Sequence, residues 1–254
     1  MSKLIAIDDG HGMDTPGKRT PPMADGKVIL ENQFNAPTAR FLDVALQRCG
    51  FRTMFTAPEA KDVPLAIRVK RANDAKADAF ISIHYNAFRG VWDETRGGVE
   101  TCYQPGSVEG RKLAACIQKY IAQGTPQVNR GIVAQNLYVT RKTRMVAALV
   151  EAGFMDVRKE AALMLDPAFQ KETAEQIAQG VCEYFGVKYI PETPPRDEIA
   201  EALGVLVRVG ATNSPGYWLK VARKGQKADG EYVAVMIKNM AAALEAMVNR
   251  RKEG

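Results

Sequence analysis

From residue 4 to residue 185 the chain repeats one figure: a short apolar run, a polar break, then a longer segment with apolar residues at helical spacing. Leu4 to Ile7 stops at Asp8-Asp9-Gly10-His11-Gly12, the pattern of a buried strand running into a loop. Asn35-Ala36-Pro37 offers a helix start, Phe41, Leu42, Ala45 and Leu46 continue it, and Gly50 closes it. Phe51 to Thr56 reads as a strand. Pro64 opens a second amphipathic helix through Leu65, Ile67, Val69 and Ala72, and Ala79 to Ile83 is a buried strand ending at His84. Val99 to Tyr103, Leu137 to Val139 and Ala147 to Val150 are further strand candidates, the last ending at Glu151, while Leu113 to Ile121 and Pro167 to Phe185 are helical. This alternation predicts an α/β fold with a mostly parallel central sheet and helices on both faces.

The figure breaks at Pro191-Glu-Thr-Pro-Pro195, where three prolines in five residues disfavour helix and central strand alike. The predicted organisation is a main domain over 1–187, a proline-rich linker over 188–195 and a small helical module over 196–254. The module's helices are read at Asp197 to Val209, after Asn213-Ser214-Pro215, and at Tyr232 to Val248. At about 60 residues it is near the size at which a core becomes marginal. No stretch approaches the roughly 20 apolar residues of a membrane span, and none is expected. The N-terminal apolar run is too short for a signal peptide, which predicts synthesis in the cytoplasm. Cys49, Cys102, Cys116 and Cys182 show no CxxC or zinc-knuckle spacing and read as reduced thiols, mostly buried. A net charge of +6 suits an anionic partner such as nucleic acid, teichoic-acid-bearing wall or acidic lipid without choosing among them.

The chain has two histidines, His11 and His84. In a parallel sheet, functional groups collect at the carboxyl ends of the strands, and His11, His84 and Glu151 all fall there. Two imidazoles and a carboxylate, with a fourth position left for water, make a hydrolytic zinc site. Glu31, just before the first helix, is placed to be the third ligand, which leaves Glu151 as the base that takes a proton from water and returns it to a leaving nitrogen. Each residue also has a structural reading. His11 is a loop or capping residue, His84 a satisfied core histidine, and Glu31 a carboxylate favoured at a helix start. Glu151 is the hardest to read that way, because an ionised carboxylate is rarely buried without a partner or a task.

The wording of the segments adds to the spacing. Ile7-Asp-Asp-Gly-His11-Gly, Leu30-Glu31-Asn-Gln-Phe-Asn35, Ser82-Ile-His84-Tyr-Asn86-Ala and Val150-Glu151-Ala-Gly-Phe154 resemble, in order, the motifs of the zinc-dependent N-acetylmuramoyl-L-alanine amidases of the amidase-3 family. Arg68 with Ala72-Asn73, and Asn129-Arg130-Gly131 with Asn136 to Val139, are similar to it too, so the resemblance covers about residues 1 to 187. It implies that His11, Glu31 and His84 bind Zn2+, that Glu151 is the catalytic acid and base, and that the substrate is the amide between N-acetylmuramic acid and L-alanine in peptidoglycan. With that substrate no nucleic acid partner is expected. Asp9 stands where the family commonly has proline, and Asn86 is matched without a role beyond steadying the loop after His84.

A catalytic domain followed by a small C-terminal module resembles the layout of phage endolysins. The expectation is a hydrolase made in the host cytoplasm that reaches the wall on release and serves host lysis. In it, residues 196–254 bind a cell-wall ligand through Tyr217, Trp218, Lys220, Arg223 and Lys224, or else form a helical bundle that dimerises or packs on the enzyme. Two other functions fit the same residues. One is a zinc hydrolase of another amide, a peptidase or deacetylase; the other is a basic, non-enzymatic binding protein with structural histidines.

Overall fold

The computed structural model describes residues 2–192, 198–221 and 228–252. Its elements are β1 (Leu4–Asp9), α1 (Asn32–Arg48), β2 (Arg52–Phe55), α2 (Leu65–Asp74), β3 (Ala79–Asn86), β4 (Val99–Tyr103), α3 (Val108–Gly124), β5 (Asn129–Ala134), α4 (Tyr138–Lys142), β6 (Val146–Phe154), α5 (Arg158–Ala161) and α6 (Pro167–Phe185), followed by α7 (Glu198–Arg208), α8 (Pro215–Val221) and α9 (Gly230–Lys252). The strands form one sheet in the order β2-β1-β3-β6-β4-β5. Its pairs are parallel except β4 with β6, which run antiparallel. The α/β architecture with a mostly parallel sheet is therefore as the alternation predicts.

Both faces of the sheet are covered, which is why its strands are apolar runs rather than alternations of apolar and polar. Ile5, Ile7, Ile81, Ile83, Ala148 and Val150 pack on one side with Phe34, Leu42 and Leu46 of α1, Leu113 and Ile117 of α3 and Ile177 and Val181 of α6. Their neighbours Ala6, Phe80, Ala147 and Leu149 turn to the other side, against Val69 and Ala72 of α2 and Val139 of α4. All four cysteines are free; Cys49, Cys102 and Cys182 are buried and Cys116 is half-buried.

Three local readings change. Helix α1 starts at Asn32, ahead of the Asn35-Pro37 pair, so Pro37 lies inside it. Proline cannot donate to the carbonyl four residues back, that of Gln33. Gln170 Nε2 of α6 donates to that carbonyl instead, at 3.2 Å. Leu137 to Val139 is not a strand: Leu137 caps the short α4, and the strand of this region is β5 at Asn129–Ala134. Strand β6 runs on past Glu151 to Phe154.

The chain divides into two compact units, Met1–Pro191 and Glu192–Gly254. The second contains α7, α8 and α9. Trp218 is buried in it, its Nε1 donating to Thr212 Oγ1 at 3.1 Å. Tyr217 lies edge-on to Trp218 and stacks on Tyr232, with centroids 5.2 and 4.8 Å away. Trp218 is thus a core residue of this unit, and Lys220 is exposed. Arg223 and Lys224 lie outside the described residues, as does the end of the expected linker. Among the described residues no helix is long and apolar enough to cross a membrane.

Candidate metal centre

The site begins where β1 ends. Gly10 N donates to Ile83 O at 3.0 Å, carrying the backbone one residue further along β3. A Cβ at Gly10 would lie 2.2 Å from Cε1 of His84, so glycine is what lets the chain pass over that ring. The next residue, His11, takes φ 61°, a left-handed conformation that costs a non-glycine residue about 1–2 kcal/mol. Two asparagines of α1 hold it there: Asn32 Nδ2 donates to the His11 carbonyl at 3.0 Å and Asn35 Nδ2 to the Gly10 carbonyl at 2.9 Å.

His84 lies on β3, in register with Glu151 on β6. Glu31 immediately precedes α1 and is buried, 1% exposed. Its Oε1 accepts from the Tyr85 backbone N–H and from Asn35 Nδ2, both at 3.1 Å, and lies 2.9 Å from His84 Nδ1. Its Oε2 is 3.5 Å from His11 Nε2 and 4.0 Å from Lys18 Nζ. The imidazoles meet edge to face with centroids 4.9 Å apart. His11, Glu31 and His84 can each offer one ligand atom such that all three lie within 4.8 Å of one another.

The electrostatics follow from burial and this proximity. Burial holds His11 down at about 4 although Glu31 pulls it up, so its imidazole is neutral at pH 7. Burial also pushes Glu31 up, but the hydrogen bond and charge of His84 and the field of His11 outweigh it and leave the carboxyl at about 2. For His84 burial disfavours the charged form, and Glu31, Glu151 and Asp8 together reverse that and raise it. Glu151 is half-buried, and its Oε2 is shut off from solvent with no hydrogen-bond partner. Burial, only partly offset by His84, pushes it up to about 8.

Residues around the cluster hold it in place. Arg68 is 1% exposed; its Nη1 donates to Asp8 Oδ1 at 3.1 Å and to the Asp9 carbonyl at 2.6 Å, and its Nε to Val63 O at 2.7 Å. Thr56 and Ser82 hydroxyls donate to Asp8, each at 2.6 Å. On the far side Glu100 faces Glu151 across the antiparallel β4–β6 pair. Glu100 accepts from Asn86 Nδ2 at 3.1 Å and from Arg130 Nε at 2.6 Å, which gives Asn86 a partner as well as a loop to steady. Reading strand ends does not give roles to Glu100 or Asp8: Glu100 sits at the amino end of its strand, and Asp8 is a buried carboxylate one residue before the end of β1.

The Amidase_3 family, described as N-acetylmuramoyl-L-alanine amidase, matches residues 5–183. The chain belongs to this family. Among its relatives, the endolysin of Bacillus phage SPP1 is 31% identical over 190 residues, 74% of this chain and 68% of the endolysin. The N-acetylmuramoyl-L-alanine amidase LytC of Bacillus subtilis is 27% identical over 187 residues, 73% of this chain and 36% of LytC. An uncharacterized cell wall amidase of Bacillus anthracis is 30% identical, and the match spans 35% of its length. The solved catalytic domain of CwlV, an N-acetylmuramoyl-L-alanine amidase from Bacillus (Paenibacillus) polymyxa, superimposes with TM-score 0.65 at 33% identity, over 73% of this chain and 99% of that domain. In this amidase-family chain Asp9, in the usual proline's place, is buried, and burial raises it to about 7.

Proposed function

We propose that this chain hydrolyses the amide between N-acetylmuramic acid and L-alanine in peptidoglycan, with a zinc ion held by His11, Glu31 and His84 and with Glu151 as acid and base. The observation that carries this reading is the convergence of two imidazoles and a carboxylate within 4.8 Å, beside the unpartnered carboxylate oxygen of Glu151. The donor set fits zinc, which takes nitrogen and carboxylate ligands and leaves a position open in hydrolytic sites. Bound there, zinc supplies a water of near-neutral pKa and polarises the scissile carbonyl.

The chain's own groups do the rest. Asn35 and the Tyr85 backbone N–H fix Glu31 Oε1, so the carboxylate keeps its orientation when His84 gives up its proton. A cation held beside Glu151 would favour its ionised form, which would then accept the proton of the attacking water and deliver it to the departing L-alanine amine. Its partner-free oxygen means that no competing hydrogen bond has to break first. The proposed setting is host lysis, with synthesis in the host cytoplasm and action on the wall after release; the similarity to a phage endolysin supports it. In that setting residues 196–254 form the module that binds the wall.

Purified walls incubated with the protein should release L-alanine amino groups without new reducing sugars, and a chelator should stop this. New reducing ends, or unchanged lysis with chelator, would overturn the reading.

A further inference from the structure

We propose that Arg130 is a specificity-determining residue that receives a carboxylate of the stem peptide next to the scissile amide, an inference that rests on the amidase reading above. Three contacts fix this side chain. Its Nε donates to Glu100 Oε2 at 2.6 Å, its guanidinium lies over the Phe154 ring at 4.9 Å, and its stem runs against Gly98, where a Cβ would come within 2.9 Å of Arg130 Cγ. Gly98 takes φ 118°, open to glycine alone among ordinary residues, so backbone gives way to the arginine stem here.

The guanidinium is not used up by these contacts. Nη1 makes one long hydrogen bond, 3.4 Å to the Gly97 carbonyl, and the side chain is 38% exposed. A guanidinium has five N–H donors in a planar fork, and here most of them remain for a ligand. Arginine held in this way is the donor of choice for a carboxylate, because the fork matches both oxygens and little side-chain freedom is lost on binding. Buried Arg68, by contrast, is committed to Asp8, Asp9 and Val63 and offers nothing.

Position argues for the same ligand. β5 lies two strands from β6, roughly 10 Å, and the arginine reaches back to Glu100 on β4, the residue in register with Glu151, and to Phe154 on β6. In a peptide the carboxylate of the residue after L-alanine lies roughly 7 Å from the scissile nitrogen. A substrate whose amide sits at Glu151 therefore brings that carboxylate within the arginine's reach. Glu100, which shares Arg130 with the ligand, also repels a carboxylate placed elsewhere along this edge.

The test uses the full chain on two purified wall preparations that differ only in whether the carboxylate of the stem residue after L-alanine is free or amidated. The wild type should show a KM roughly tenfold lower on the free-acid wall, the size of one charge-assisted hydrogen bond lost. Arg130→Gln should erase that ratio, whereas an arginine that merely braces Glu100 would slow both walls alike and keep it. Equal KM values in the wild type, or a preserved ratio in the variant, overturn the proposal while leaving the amidase reading intact. If neither wall is cleaved, the amidase reading falls and this proposal falls with it.

Discussion

The rim that carries the site is built from two halves that run in opposite directions. β1, β3 and β6 bring their carboxyl ends to it, with His11, His84 and Glu151; β4 and β5 bring their amino ends, with Glu100 and Arg130. The first half gathers the proposed metal ligands and the proposed proton carrier. The second is an ion pair with donors left over. One antiparallel pairing in an otherwise parallel sheet is what allows residues from the starts of two strands to stand beside residues from the ends of three others.

The most severe test of this division is a pair of substitutions in the first half. Glu151→Gln should keep stoichiometric zinc and lose wall lysis by about 10²- to 10⁴-fold, the range of general acid–base catalysis, while His84→Ala should lose both; metal analysis beside a turbidity assay separates the two. Retained lysis in Glu151→Gln would falsify its role. Next in size is Arg68→Met, which leaves buried Asp8 without its ion-pair partner. Urea unfolding should show a loss of about 3–5 kcal/mol, and a change near zero would mean that Thr56 and Ser82 suffice for Asp8.

A smaller effect belongs to the second half. Gly98→Ala forces a Cβ to within 2.3 Å of the Val128 carbonyl, at φ 118°. It should cost about 1–3 kcal/mol in thermal unfolding and, by moving the Arg130 stem, raise KM before it touches metal content. Equal loss of zinc would erase the distinction between the halves. The smallest effect lies at the opposite end of the strands, in Asp78. The Leu4 backbone N–H and Lys3 hold its carboxyl below the usual range. A lowered carboxylate contributes stability that is present above its unfolded pKa, about 4, and is lost as pH falls through the folded value. The deficit of Asp78→Asn, within about 1 kcal/mol because solvent screens the pair, should therefore shrink below pH 4 in a pH series of melts.

The same division explains what could be read from sequence. Helix α6 was legible to its ends because local chemistry marks both: Asp166 caps Ala168 N, Pro167 opens the helix, and Gly186 closes it at φ 65°. That His11, Glu31 and His84 would gather at one rim with Glu151 was legible because polar residues near the ends of apolar runs stand out. β5 was not, since this edge strand opens on polar Asn129-Arg130-Gly131 and keeps only the short apolar stretch Ile132 to Ala134, whereas Leu137-Tyr138-Val139 looks like a strand and is helical from Tyr138. The early start of α1 was hidden because Pro37 disguises it, and the donor that makes Pro37 tolerable comes from Gln170, more than a hundred residues away. Strand direction is set by such long-range pairing, so nothing local showed that Glu100 would face Glu151.

The two imidazoles also have a practical consequence. Every histidine in the chain belongs to this cluster, with the rings 4.9 Å apart. Isotope labelling of histidine alone would therefore give a magnetic-resonance spectrum with two ring systems and no background, in which metal loading is read directly from the proposed metal centre of the intact protein.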